Sequence, residues 1–214
     1  MSLAVKAWRE SRGRFVIACC AIAALSMVFV LAERTFRARM IAVGGPTLAY
    51  TRFIDVRIFA GVTRAAYLLF AVVLALGGFA RERSQGTLAF TLALPVPRSH
   101  HVIARGALGL LQLIGLSVIP IVVVVACSLV IGEAYPVGAA LAWFPSWILA
   151  GAWVFSAALV CSVIVPNEYA ALAIAVVGLR LVARISLAPV VTLGMAVAML
   201  ALAVWLGTRE RFRS

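Results

Sequence analysis

Read for polarity alone, the chain alternates long apolar runs with short charged punctuation. Phe15 to Ala32 is one unbroken apolar stretch, and a helix that crosses a bilayer needs about 20 such residues, with a range of roughly 17–25. Ala65 to Ala80, bracketed by Arg64 and Arg81, predicts a second span that can extend upstream if Arg64 snorkels. Gly106 to Gly132 predicts a third, with Pro120 as a kink. Ala134 to Val165 is too long for one straight crossing, and Pro136 and Pro145 predict a turn or broken piece before the helix proper. Tyr169 to Leu179 spans only by including Arg180 and reaching toward Ala183, and Ile185 to Thr208 is the last run. The pattern predicts an all-α integral membrane protein of six transmembrane helices, organised as a single membrane domain over residues 1–214.

The segments between these runs carry their own patterns. From Met1 to Arg14, Leu3, Ala4, Ala7, Trp8 and Ser11 share one helical face, while Lys6, Arg9, Glu10 and Arg12 take the other. This predicts an interfacial helix over 1–14, with an unstructured basic tail as the alternative. Val30-Leu31-Ala32 has the small-residue form of a signal-peptidase site. The apolar run before it, however, is longer than the roughly 7–15 residues of a signal-peptide core, so the first run reads as a retained span. Glu33 to Arg64 is a basic segment with Gly44-Gly45-Pro46 as a turn. Its pattern leaves open whether it folds along the membrane or covers a pathway.

Composition agrees with the membrane class. Of 214 residues, 65% are hydrophobic and 12% charged, against roughly half and about a quarter in soluble domains. The net charge of +12 is spread over the ends of apolar runs, as membrane flanks are, and not gathered on one polar face as a nucleic-acid site would be. With the N-terminus in the cytoplasm, the inner segments hold Lys6 to Arg14, Arg81 to Arg105 and Arg209 to Arg213. The outer ones hold Arg34 to Arg64, Arg180 and Arg184. This is a small bias toward both termini being cytoplasmic in a multi-pass protein of the cell (inner or plasma) membrane. The four cysteines, Cys19, Cys20, Cys127 and Cys161, lie in apolar runs without metal spacing and read as free thiols.

Some chemistries are excluded by what the sequence lacks. Its one lysine, Lys6, follows no glycine-rich stretch, so the chain has no phosphate-binding loop and is not itself an ATPase. All seven carboxylates, Glu33 and Asp55 among them, read as lying at or beyond membrane edges, which argues against a proton- or sodium-driven carrier. His100 and His101 are adjacent in a polar loop without partners for a metal or haem. Trp143 and Trp147, four apart, share a helix face near the outer boundary: an interfacial belt, or the aromatic wall of a substrate vestibule. Arg180 and Arg184 have the same spacing and the same two readings, snorkelling or an anion-attracting vestibule.

A polytopic chain without its own drive points to energy from another subunit, and one loop is built to receive it. In Arg81 to His101, Thr87 can cap a short helix that Pro95 and Pro97 end. Leu88, Phe90, Leu92 and Leu94 give it an apolar body, and Glu82 and Arg98 flank it with charge. An interfacial helix touching only lipid is the other reading of these residues. The stretch Glu82, Gly86-Thr87-Leu88, Leu94-Pro95-Val96-Pro97-Arg98 and Arg105 resembles the type-2 ATP-binding-cassette exporter permeases. Pro97 stands where that family has a small hydroxyl residue, and Arg105 where it has lysine.

The resemblance implies a cytoplasmic coupling helix within 81–105, between spans two and three. Glu82, Gly86, Thr87, Leu88, Pro95 and Arg98 would meet a separate ATPase subunit. It implies a second permease subunit, identical or related, and outward movement of a hydrophobic or amphipathic substrate. ATP and Mg would be used by the partner, with no cofactor on this chain. Two alternatives remain at this stage: a non-transporting membrane scaffold or sensor, and a haem-handling permease of cytochrome maturation, for which no histidine- or tryptophan-rich motif is visible.

Overall fold

A computed structural model describes residues 3–43, 49–76, 98–164 and 189–209. The described residues are nearly all helical: α1 (Leu3–Ala42), α2 (Tyr50–Ile54), a π-helical segment (Asp55–Phe59), α3 (Val62–Leu76), α4 (Arg98–Val130), α5 (Val137–Ile164) and α6 (Pro189–Arg209). Four stretches are long and apolar enough to cross a membrane: Ser11–Arg39, Tyr50–Leu76, Gly106–Val130 and Val137–Ser162, with Ala196–Trp205 as a shorter apolar helix. The protein is a multi-pass helical membrane protein. The fifth run, Tyr169 to Ala183, lies outside the described residues.

The first helix differs from expectation. No interfacial helix separates at Arg14; α1 runs unbroken for 40 residues, about 60 Å, twice the roughly 30 Å hydrocarbon thickness. The reason is local. No proline occurs between Leu3 and Ala42, Gly13 has open space around it, and Glu33 pairs with Arg37 one turn on, so nothing stops the helix at the ends of its apolar core.

The second span also begins earlier than its charges suggested, at Tyr50 and not near Arg64. Asp55 and Arg57 stay inside the helical run because protein groups meet them, as described below. At the junction, Ala60 N–H reaches the Asp55 carbonyl at 2.8 Å, the wide turn of a π-helix. A Cβ at Gly61 would collide with the carbonyls of Val56 and Arg57, so glycine is required where the π turn gives way to α3.

The proline expectations divide. Pro136 starts α5, its carbonyl accepting from Ala139 and Ala140 N–H at 3.0 and 3.2 Å. Pro120 and Pro145 are carried within continuous helices. Between α4 and α5, Gly132 takes φ +74°, Glu133 N–H returns to the Ser128 carbonyl at 3.0 Å and Gly132 N–H to Leu129 at 3.2 Å. These two hydrogen bonds make the glycine-terminated helix end that closes orphan carbonyls.

Contacts between helices fix their directions. Ser11 meets Gln112, Phe15 faces Gly115 and Arg34 meets Ile131, so α1 and α4 run parallel. Asp55 meets Trp143 and Phe59 meets Trp147, so the second span runs parallel to α5. Gly109 near the start of α4 lies under the Phe155 ring late in α5, which makes those two antiparallel. The result is an up-down-up-down bundle in which α5, buried continuously from Trp153 to Ser156, packs against α3, α4 and α6.

Two glycines set the close approaches. A Cβ on Gly109 would enter the Phe155 ring, and one on Gly151 would meet the Tyr67 hydroxyl and ring. Gly109→Ala and Gly151→Ala are each expected to lower stability by about 1–3 kcal/mol through overpacking. Gly138→Ala, with open space around it, should be neutral or slightly stabilising. Thermal denaturation of the purified protein in detergent orders the three variants.

Candidate functional site

The densest polar chemistry among the described residues caps one end of the bundle, where α1 ends, the second span begins and α4 turns into α5. At its centre is Asp55 on the π segment. Its Oδ1 accepts from the Tyr135 hydroxyl at 2.6 Å and from Trp143 Nε1 at 3.0 Å. Tyr135 is placed by the Gly132 turn, and Trp143 by the second turn of α5, so the carboxylate binds two separate elements to the second span.

One helical turn on, Phe59 is surrounded by rings. Trp143 stacks on it at 6.0 Å and 5°, Tyr135 at 5.8 Å and 30°, and Trp147 meets it edge-on at 6.3 Å and 70°. Trp147 Nε1 donates to the Phe59 carbonyl at 3.0 Å, and the Tyr67 ring lies 4.9 Å from Trp147. Each such aromatic pair contributes about 0.5–1.5 kcal/mol beyond its burial. Trp143 and Trp147 thus do share a face, and that face turns inward: Trp147 is 1% exposed, a core residue of this chain and not a belt at the lipid boundary.

A charged group lies beside the aromatic one. Arg34 donates to the Ile131 carbonyl at 2.5 Å, satisfying an acceptor left at the end of α4. Arg37 holds Glu33 Oε1 through Nε at 2.7 Å and Nη2 at 2.5 Å, and reaches toward Glu133 at 3.9 Å. Glu33 is only 2% exposed, and its Oε2 has no hydrogen-bond partner. The Tyr50 hydroxyl meets Ser128 Oγ at 2.5 Å while Ser128 donates to the Val124 carbonyl. Arg57 stands 4.8 Å over the Phe36 ring, which packs on Phe53 at 5.5 Å.

These contacts amend the reading of the acids as edge residues. Glu33 and Asp55 are held within the protein, the first enclosed by it and the second hydrogen-bonded between two other elements. The sequence carried one signal for this, an acid flanked by Phe53 and Phe59 at the head of an apolar run. Its partners, about 80 residues away, could not be read from it.

Of the residues expected to couple to a partner, Glu82, Gly86, Thr87, Leu88 and Pro95 lie outside the described residues, and Arg98 is the first residue of α4. His100 and His101 lie in the first turns of that helix and not in a loop. Arg180 and Arg184 also lie outside the described residues. All four cysteines are free thiols, with Cys20 exposed. Compared with known proteins, the chain matches no family model, no curated protein and no solved structure.

The cap tests directly. Tyr135 lies in the α4–α5 connection, outside the spans, where burial and then the Asp55 carboxylate push its phenol well above the ordinary tyrosine value. A raised folded value means that the contact's stabilisation is fully present below the unfolded pKa of about 10 and is lost as pH rises through the folded value. Asp55→Leu, which leaves the Tyr135 hydroxyl and Trp143 indole without their acceptor, should cost about 1–3 kcal/mol. Asp55→Asn should cost less and bring the phenol's titration down. Ultraviolet titration against a Tyr135→Phe reference, with thermal melts, measures both.

Proposed function

We propose that this chain is the membrane-spanning permease subunit of an ATP-driven exporter of the type-2 ATP-binding-cassette kind. In this reading it has six spans with both termini cytoplasmic, and works with a second permease subunit and separate ATPase subunits. The observation that carries the proposal is the sequence of the loop between the second and third spans: Glu82, Gly86-Thr87-Leu88, Pro95 and Arg98 around a short apolar body. The fold supports it in one respect. That loop joins the end of α3 to the start of α4, and both of those ends point away from the polar cap, which holds the start of the second span and the end of α4.

The mechanism follows from that opposition. ATP binding closes the partner ATPases and pushes on the coupling helix. Glu82 and Arg98 orient the helix in the partner's groove through paired charges, and Leu88 supplies apolar contact. The push passes along α3 and α4, which flank the loop, to the far end, where Asp55 and the ring cluster hold the second span to α5. Nucleotide state thus biases a two-state bundle, which is what an allosteric coupling requires. The cargo is a hydrophobic or amphipathic molecule released on the capped side.

An ATPase subunit should co-purify with the chain in stoichiometric amount. In reconstituted vesicles, Glu82→Ala and Arg98→Ala should leave membrane assembly intact and reduce transport per ATP hydrolysed at least tenfold, a loss of about 1.4 kcal/mol of coupling. Isolation alone or with a partner that binds no nucleotide, or unchanged coupled activity in both variants, would overturn the proposal.

A further inference from the structure

Three arginines at the cap are met by the protein: Arg34 by the Ile131 carbonyl, Arg37 by Glu33 and Arg57 by the Phe36 ring. Arg64 of α3 is not. It makes no hydrogen bond or ion pair among the described residues. The acids that contacts place, Glu33, Asp55 and Glu133, are all taken up at the cap.

Two helices fix how deep this arginine lies. The second span runs from Tyr50 to Leu76, so Arg64 follows its start by roughly 21 Å and precedes its end by roughly 18 Å, at about 1.5 Å per residue. Phe59 meets Trp147, and the Tyr67 ring lies against Gly151. Arg64 stands between Phe59 and Tyr67, so its level on the parallel α5 falls between Trp147 and Gly151. The centre of the α5 span, Val137–Ser162, falls between the same two residues. Snorkelling to a membrane surface is therefore not open to Arg64, because its side chain covers only a fraction of either distance.

The guanidinium is nonetheless approachable. Round α3, Thr63, Tyr67 and Ala71 are buried, while Val62, Ala65 and Leu69 are exposed among the described residues. Arg64 is half-buried between these two sides, where the packed helices give way to the open flank. A charge at mid-membrane is costly without a partner and marks a functional site by default. Guanidinium offers five N–H donors and no acceptor, keeps its charge, and matches the paired oxygens of a carboxylate or phosphate.

We propose that Arg64 binds the anionic head group of an amphipath that reaches it along the open flank of α3. The head group of a resident phospholipid stays at the bilayer surface, about 15 Å from the midplane. One that meets Arg64 belongs to a molecule drawn in between the leaflets, which is the position of cargo in transit. The cargo role rests on the exporter reading, whose substrate class it narrows to anionic amphipaths; the binding itself is a property of the isolated chain.

The test is equilibrium binding to the full chain purified in a neutral detergent. The probes are a lysophosphatidate and the monoacylglycerol of the same acyl chain, which differ by the phosphate. The lysophosphatidate should bind at least tenfold more tightly. Arg64→Met should remove that preference and leave monoacylglycerol binding unchanged, the loss expected for a charge-assisted hydrogen bond. Arg64→Lys should keep most of it, and so should Arg52→Gln, which removes an exposed arginine elsewhere on the second span. Without ligand, Arg64→Met should melt no lower than the parent, since the arginine has no ionic partner to lose.

A lower melting temperature of Arg64→Met would give Arg64 a structural ion pair and refute the assignment. Equal binding of the two lipids, an undiminished preference in Arg64→Met, or an equal loss in Arg52→Gln would also refute it. Phosphate-dependent binding at Arg64 by a chain that recovers no ATPase partner would uphold the site and sink the exporter reading. An ATPase partner without such binding would do the reverse.

Discussion

A carboxylate set among the helices of an apolar bundle has to be solvated by the protein, and at Asp55 two side chains do this. Tyr135 comes from the α4–α5 connection and Trp143 from the second turn of α5, so their common acceptor ties that connection and α5 to the head of the second span. Much of the cap is arranged around this contact. The π turn carries Asp55 and Phe59 on adjoining turns, which places the ring cluster directly below the hydrogen bonds. Gly61 lets the chain leave the π turn for α3, and Gly132 lets α4 end where Tyr135 can reach back.

Below the cap the bundle is set by register and small residues. Parallel pairing of α1 with α4, and of the second span with α5, follows from contacts spaced along each pair and not from a single crossing. Glycine at 109 and 151 admits the Phe155 ring and the Tyr67 ring to the surface of the facing helix. With no hydrophobic drive between helices in lipid, such close packing and the hydrogen bonds of the cap supply the specificity of assembly.

The helical membrane class was legible because runs such as Phe15 to Ala32 are unmistakable at about 20 residues. Their limits were less legible, for one physical reason. Hydropathy counts a charge as a boundary, while Glu33, Arg37, Asp55 and Arg57 are met by protein groups and so sit within continuous helix. Trp143 and Trp147 were correctly placed on one face by their spacing, but a helix face does not announce whether it looks toward lipid or toward Phe59. The Glu82 to Arg105 motif is the converse case. It is read from sequence alone, with Arg98 and Arg105, both in α4, as its described residues.

Polar satisfaction is uneven along the bundle, and that unevenness bears on how it could move. Separating the second span from α5 at the cap would break two hydrogen bonds to a carboxylate, each of a class that contributes about 1.5–3 kcal/mol, along with the stacking on Phe59. Separating α1 from α3 at the depth of Ser26 and Tyr67 would break no side-chain hydrogen bond of Ser26, Thr63 or Tyr67, since none of the three makes one. In side-chain hydrogen bonds, the capped end is therefore the more firmly tied of the two.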